Sequence, residues 1–215
     1  MSRTELTRAK HKERTDRAIL DELLDSVRIG YFGLIAPAGH PVVIPATIVR
    51  DGDRILTHGS TGSTWRRQLA AGSPTCLTVA TMDAVVVART AYESSVHYRS
   101  AVLFGACRQA EDKAHALDLI VDGVIPGRSA EVRPHTGKEL AATEVLEMPI
   151  AEWSLKVSDG WPADAPEDIA GPAWAGVVPL LSSHGEPLPA PDLRAGIPLP
   201  PSVRRLARTL SAPPC

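Results

Sequence analysis

The residues best suited to chemistry lie in the run Thr57 to Trp65, THGSTGSTW, answered downstream by His97-Tyr98-Arg99-Ser100 and by Lys156. The run gathers hydroxyls, one imidazole and two glycines where a strand gives way to a short helix expected over Ser63 to Ala71. That chemistry suits a phosphate. Glycine lets the backbone come close, Ser and Thr donate, and a helix start offers free N–H groups with partial positive charge. An arginine or lysine from another strand would complete the cradle. The same hydroxyls are also ordinary helix caps, and His58 and His97 are also ordinary hydrogen-bonded structural histidines, so each residue carries two readings.

The elements that must position these residues are legible from periodicity. From Asp16 to Val27 the apolar positions Ile19, Leu20, Leu23, Leu24 and Val27 form one helical stripe that should pack on a sheet. Strand-like runs follow over Arg28 to Ala36, Pro41 to Arg50, Asp53 to His58, Pro74 to Met82, Ala84 to Ala91 and Tyr98 to Gln109. Asp51-Gly52 is a strong hairpin signal, and Met82-Asp83 reads as a tight turn. Pro45 implies an edge or a bulge in its strand. Short turns make antiparallel neighbours, so the fold class is mainly β with flanking helices, a closed or nearly closed antiparallel barrel.

Further on, a helix is expected over Glu111 to Val121, ended by Gly123, with a second short helix around Gly137 to Thr143. Val145 to Val157 reads as the last strand, broken or bulged at Pro149. Three segments result: a polar lead-in over 1–17, a barrel domain over 18–180 and a Pro-rich tail over 181–215. Most of the nineteen prolines lie beyond Trp161, so the tail should run extended over the surface or over a partner subunit, or remain disordered.

Composition narrows the function classes. A formal net charge of −2 argues against nucleic-acid binding, no segment has the length and apolarity of a membrane span, and the N-terminus lacks the apolar centre of a signal peptide. The expectation is a cytoplasmic protein. Cys76, Cys107 and Cys215 show no metal-like spacing, and the first two read as small buried hydrophobes. Abundant Ala, Arg and Pro with few Lys points to a GC-rich bacterial source.

The order of these features resembles the pyridoxamine-phosphate-oxidase-like split barrels, and within them the nitroimidazole-resistance-type flavin-nucleotide-binding branch. The resemblance rests on HGSTGS before a short helix, the strand pair AVVVARTAYESS and HYRSAVLFGACR, then IPGR, ELAATEVLEMPI and PAWAGVVPL, and spans about Ala18 to Leu180. It implies a six-stranded antiparallel split barrel, a homodimer, and FMN in a cleft between subunits. It further implies that His58, Gly59, Ser60, Ser63 and Thr64 face the phosphate, with Trp65 opening the helix behind them. The backbone at Thr47 and Ile48 would meet the flavin ring, at a place where family members often carry an aromatic residue. His97 stands where the family commonly has Asn, and Ser100 follows in the same strand. Arg99 or Lys156 would supply positive charge to the reduced ring.

The leading expectation is therefore an FMN-binding oxidoreductase acting on a small organic molecule, with His97 and Tyr98 placed to relay a proton. Two other readings share the barrel. One is a haem-binding or non-catalytic flavin-binding regulatory protein, with His58 or His97 as axial ligand. The other is a deazaflavin-dependent reductase.

Overall fold

The structure is a computed structural model that describes residues 3–5 and 7–208. Its centre is an antiparallel sheet in the order β1-β9-β6-β5-β2-β3-β4-β8-β7, with β10 added on β5. In chain order these strands are β1 Glu13–Arg14, β2 Ile29–Ile35, β3 Pro41–Asp51, β4 Arg54–Ser60, β5 Pro74–Val87, β6 Ser95–Ala106, β7 Arg108–Gln109, β8 Thr143–Pro149, β9 Glu152–Ser158 and β10 Gly176–Pro179. The helices are α1 Arg17–Ser26, α2 Thr64–Ala70, α3 Lys113–Val124, α4 Gly137–Ala142, α5 Pro166–Ile169 and α6 Pro201–Arg208. This is the split-barrel architecture expected from the sequence.

Helix α1 begins at Asp16, whose carboxylate accepts from the Ala18 N–H, and buries Leu20, Leu23 and Leu24 completely or nearly so. Each such burial is worth about 1.5–3 kcal/mol. These leucines pack into one core with Phe32, Ile48, Leu77, Val79, Leu103 and Leu155, drawn from both halves of the sheet. A second core joins α3 to β3, β4 and β8 through Ala116, Leu117, Ile120, Val49, Leu56 and Val145. The Asp51-Gly52 signal is a true hairpin, with Asp51 opposite Arg54 and Gly52 at φ 56°, where a side chain would be strained.

Several expected elements differ in form. Met82-Asp83 is no turn: β5 runs through it, and Asp83 is an extra residue between the pairs Met82–Tyr98 and Ala84–His97. The bulge persists because the Asp83 carboxylate grips Arg99 on β6. Gly123 does not end α3 but lies inside it, where any Cβ would stand 2.5 Å from Val49. The run Val145 to Val157 is two strands: β8 pairs with β4 and β9 with β6, and the chain crosses at Ile150-Ala151, just after Pro149. Pro45 sits in the half of β3 that pairs only with β2, where its missing N–H is harmless.

The described parts of the lead-in and of the tail are tied down more firmly than composition implied. The lead-in forms a 3₁₀ turn over Lys10–Lys12 and then pairs with β9, while Arg3 bonds to Glu152. In the tail, the Leu180 N–H donates to the Asp83 carbonyl at 2.9 Å, and α6 is anchored by Ser202 on the Glu131 carboxylate and by Arg205 on the Pro126 carbonyl. Cys215 lies outside the described residues.

Candidate functional site

Strand parity sorts the candidate residues into three places. On β6, Arg99, Ala101 and Leu103 are buried, so Tyr98 and Ser100 face the opposite, outer side. Ser100 pairs with Lys156 and Tyr98 with Ser158, which puts Lys156 on that outer face as well. The outer face continues across β5 and β2 to β3 through exposed Met82, Tyr31, Ile29 and Val43, with Thr47 opposite Ile29. Tyr98 is flanked by two ammoniums, Lys12 Nζ at 5.6 Å and Lys156 Nζ at 5.7 Å from its ring centroid. Lys156 thus lies beside the Tyr98 ring and directly opposite Glu13 in the β1–β9 pair.

Ile48 does not share this face. Its side chain is 1% exposed in the core, and its N–H donates to the Arg28 carbonyl at 3.0 Å. Arg99 also points away. Its Nε and Nη2 donate to the two Asp83 oxygens at 3.0 and 3.1 Å, and Nη1 donates to Glu22 at 3.2 Å. An arginine so paired cannot neutralise charge on the far side of its own sheet, which leaves Lys156 for that role.

The second place is the loop Thr57 to Trp65. Ser60 accepts from the Gly62 N–H through its hydroxyl, and Ser63 opens α2 without a side-chain capping bond. Thr64 Oγ1 lies 3.4 Å from the Arg67 guanidinium. Beneath the loop lies a residue the sequence reading passed over. Arg66 is 5% exposed, stacks on the Trp65 ring at 4.4 Å, and has a sealed Nη1 with no hydrogen-bond partner. Gly59 makes this possible, since a Cβ there would stand 2.1 Å from Arg66 Nε. Thr57 Oγ1, His58 Nδ1 and Glu144 Oε1 are likewise sealed and unpartnered.

Burial lowers the pKa of Arg66, although Glu144 offsets part of this, and burial followed by the Arg66 charge lowers that of His58. His58 is therefore neutral at neutral pH. Burial pushes the Cys107 thiol up to about 12, which makes it inert. A buried guanidinium with an unmatched donor, beside a hydroxyl-rich loop and a glycine-opened backbone, is a donor set that fits a phosphate. The available signal was Trp65-Arg66-Arg67 at the start of the expected short helix.

The third place is a cavity of about 630 Å³ between α1, β6 and β10, lined by Ile19, Glu22, Asp83, His97, Arg99 and Trp161 among others. His97 lies here, with Nε2 2.9 Å from the Gly160 carbonyl oxygen. His97 and Tyr98 are thus on opposite faces of one strand and do not meet in a single proton relay.

Comparison with known proteins agrees with this fold. No curated protein sequence matches the chain. Among solved structures, the FAD and heme binding protein from Mycobacterium smegmatis is 52% identical, with a TM-score of 0.88 over 91% of this chain and 97% of that one. The flavocytochrome Anf3 from Azotobacter vinelandii is 35% identical, with a TM-score of 0.88 over 96% and 97% of the two chains. A 5-nitroimidazole antibiotic resistance candidate from Bacteroides thetaiotaomicron shares the fold at 19% identity and a TM-score of 0.57, over 67% of this chain and 86% of that one. The family model described as pyridoxamine 5'-phosphate oxidase matches residues 16–157, which include the hydroxyl-rich loop, Tyr98, Ser100 and Lys156. On barrel and sequence together, the chain belongs to the pyridoxamine 5'-phosphate oxidase family.

Proposed function

We propose that this protein is a redox carrier or oxidoreductase that holds a flavin and a haem and acts on a small molecule. The observation that carries the flavin half is Arg66, a buried cation whose Nη1 no described residue satisfies, lying against Gly59 beneath the hydroxyl-rich loop. Leaving such a donor unmatched costs about 1–3 kcal/mol, and more for a charged group, which an anionic ligand would recover. The 52% identity to a protein described as binding FAD and heme supports FAD above FMN, and supports haem as a second cofactor.

A bound flavin would supply the hydride or electron-pair chemistry. The chain's own residues divide the remaining work. Ser60, Ser63 and Arg66 hold phosphate oxygens, Tyr98 offers an aromatic surface, and Lys156 places a positive charge beside it.

A second copy of the chain completes the site in this reading. Ile29, Tyr31, Ile35 and Val43 are 47–64% exposed on the outer face, the kind of apolar patch that marks an interaction surface. A homodimer seated there covers these residues and walls in Tyr98 and Lys156. No described helix is long and apolar enough to cross a membrane, which is compatible with a cytoplasmic protein.

The test is the absorption spectrum of the purified protein, followed by chromatography of the released cofactors. Flavin bands with FAD in the released fraction, and bleaching when NAD(P)H or dithionite is added, are the expected results. FMN in that fraction would correct the flavin's identity. A chain that takes up neither flavin after reconstitution would overturn the reading.

A further inference from the structure

Beneath the hydroxyl-rich loop a second sealed charge accompanies Arg66. Glu144, on β8, is 8% exposed, and its Oε1 has no hydrogen-bond partner among the described residues. It stands directly opposite Gly59 in the β4–β8 ladder. Opposite residues of an antiparallel pair share a face, with their Cβ positions about 4.5–5.5 Å apart. A Cβ at Gly59 would stand 2.1 Å from Arg66 Nε, so the Glu144 stem and the Arg66 side chain flank the same point. The two charges are neighbours, yet Arg66 Nη1 and Glu144 Oε1 do not bond to each other.

The face that carries this pair also lines the main core. Along it, Thr57 is opposite Leu146 and Ile55 is opposite Met148, and Ile55, Leu146 and Met148 all belong to that core. Thr57 Oγ1 is sealed and unpartnered too. The other titratable groups near Arg66 add little charge. Burial keeps His58 neutral and the Cys107 thiol protonated, and Arg67 is exposed, where solvent and salt screen it. One cation and one anion therefore set the charge of the seat, in surroundings of low dielectric.

Resting on the reading that this seat takes a flavin phosphate, we infer that Glu144 is a specificity-determining residue, which limits the seat to a phosphate carrying a single negative charge. Arg66 balances the first charge on an incoming phosphate, and Glu144 repels a second. A terminal phosphate monoester carries about −1.5 to −2 at pH 7, because its second pKa is about 6. Each phosphate of a diphosphate bridge, substituted on two oxygens, carries only one. The seat thus accepts the diphosphate of FAD and disfavours the terminal phosphate of FMN. At an effective dielectric of about 20 and a separation of about 6 Å, half a unit of excess charge is enough to shift affinity about tenfold.

The experiment titrates the flavin-free full-length protein with FAD, FMN and riboflavin at pH 8, reading flavin fluorescence, in the parent and in the Glu144→Gln and Glu144→Asp variants. The parent should prefer FAD to FMN by about tenfold or more. Glu144→Gln keeps the size and removes the charge, so FMN should tighten about tenfold while FAD changes less. Riboflavin, which has no phosphate, should bind the parent and this variant alike. Glu144→Asp keeps the charge and should keep the preference for FAD. A parent that prefers FAD by less than about twofold overturns the assignment without any variant, and a ratio that Glu144→Gln leaves unmoved overturns it as well. Equal tightening of riboflavin in Glu144→Gln, or a preference lost as fully in Glu144→Asp, would make shape and not charge the cause, and the assignment fails. A parent that binds riboflavin as tightly as FMN and FAD overturns the phosphate seat itself, a result distinct from an unmoved ratio.

Discussion

Two arginines are almost equally buried, and the structure treats them in opposite ways. Arg99 is 8% exposed and held by Asp83 through both oxygens, with Glu22 on its third nitrogen. Arg66 is 5% exposed, rests on Trp65 and leaves Nη1 unmatched, with no salt bridge to any described carboxylate. Desolvating a charge is expensive unless partners replace the lost water. The matched cation therefore serves the fold by locking a bulge, whereas the unmatched one makes sense as a seat kept for an anion from outside the chain.

The contrast is sharpest under substitution. Asp83→Ala should leave Arg99 buried with only Glu22 and lower unfolding stability by about 3 kcal/mol in urea titrations. A loss below about 1 kcal/mol would show the bulge to be held by backbone pairing alone. Gly59→Ala drives a methyl into the Arg66 guanidinium and should lower stability by about 2 kcal/mol, with flavin affinity falling in the same preparation. Unchanged affinity there would detach Arg66 from the ligand.

Arg66→Met is the opposite experiment. Removing an unmatched buried charge while keeping its volume should change stability by no more than about 1 kcal/mol, and in the stabilising direction. Flavin affinity measured by fluorescence titration should still drop about tenfold or more. If this variant is as unstable as Asp83→Ala, the two arginines do the same job and the comparison fails.

The smallest effect concerns pH. His58 has a lowered pKa when folded and its ordinary value, about 6.5, when unfolded, so the unfolded chain binds more protons below that pH. Stability is complete above about pH 6.5 and declines as pH falls from there toward the lowered folded value. The melting temperature at pH 5.5 should therefore lie below that at pH 7.5, and His58→Asn should narrow the gap. Arg66→Met should narrow it only in part, because burial outweighs the arginine's charge in lowering this pKa.

Much of the fold was written in local patterns. The leucine stripe of α1, the Asp51-Gly52 hairpin and the break at Pro149 all follow from neighbours within a few residues. The hydroxyl-rich loop was equally visible, because its residue types and its place before α2 are properties of one short segment. Less legible was the path after Pro149, where an almost unbroken apolar run hides a crossing from β4 to β6. Gly123 misled for a related reason: a glycine's role as a helix stop or as a packing gap depends on Val49, which is far away in sequence.

The sequence by itself determined the order and type of most elements, the presence of a phosphate-like loop, and the family. Tertiary structure alone decided which chemistry-bearing side chains work together. Strand side chains alternate between faces, so a single extra residue at Asp83 reverses the inward set on β5 from Leu77 and Val79 to Ala84 and Val86. On β6, which carries no extra residue, unbroken alternation places His97 and Arg99 on the cavity side and Tyr98 and Ser100 on the outer side. Whether a buried arginine finds a partner is likewise set by folding: Asp83 and Glu22 reach Arg99 from separate elements, whereas Arg66 lies against Gly59 and Trp65 of its own short segment.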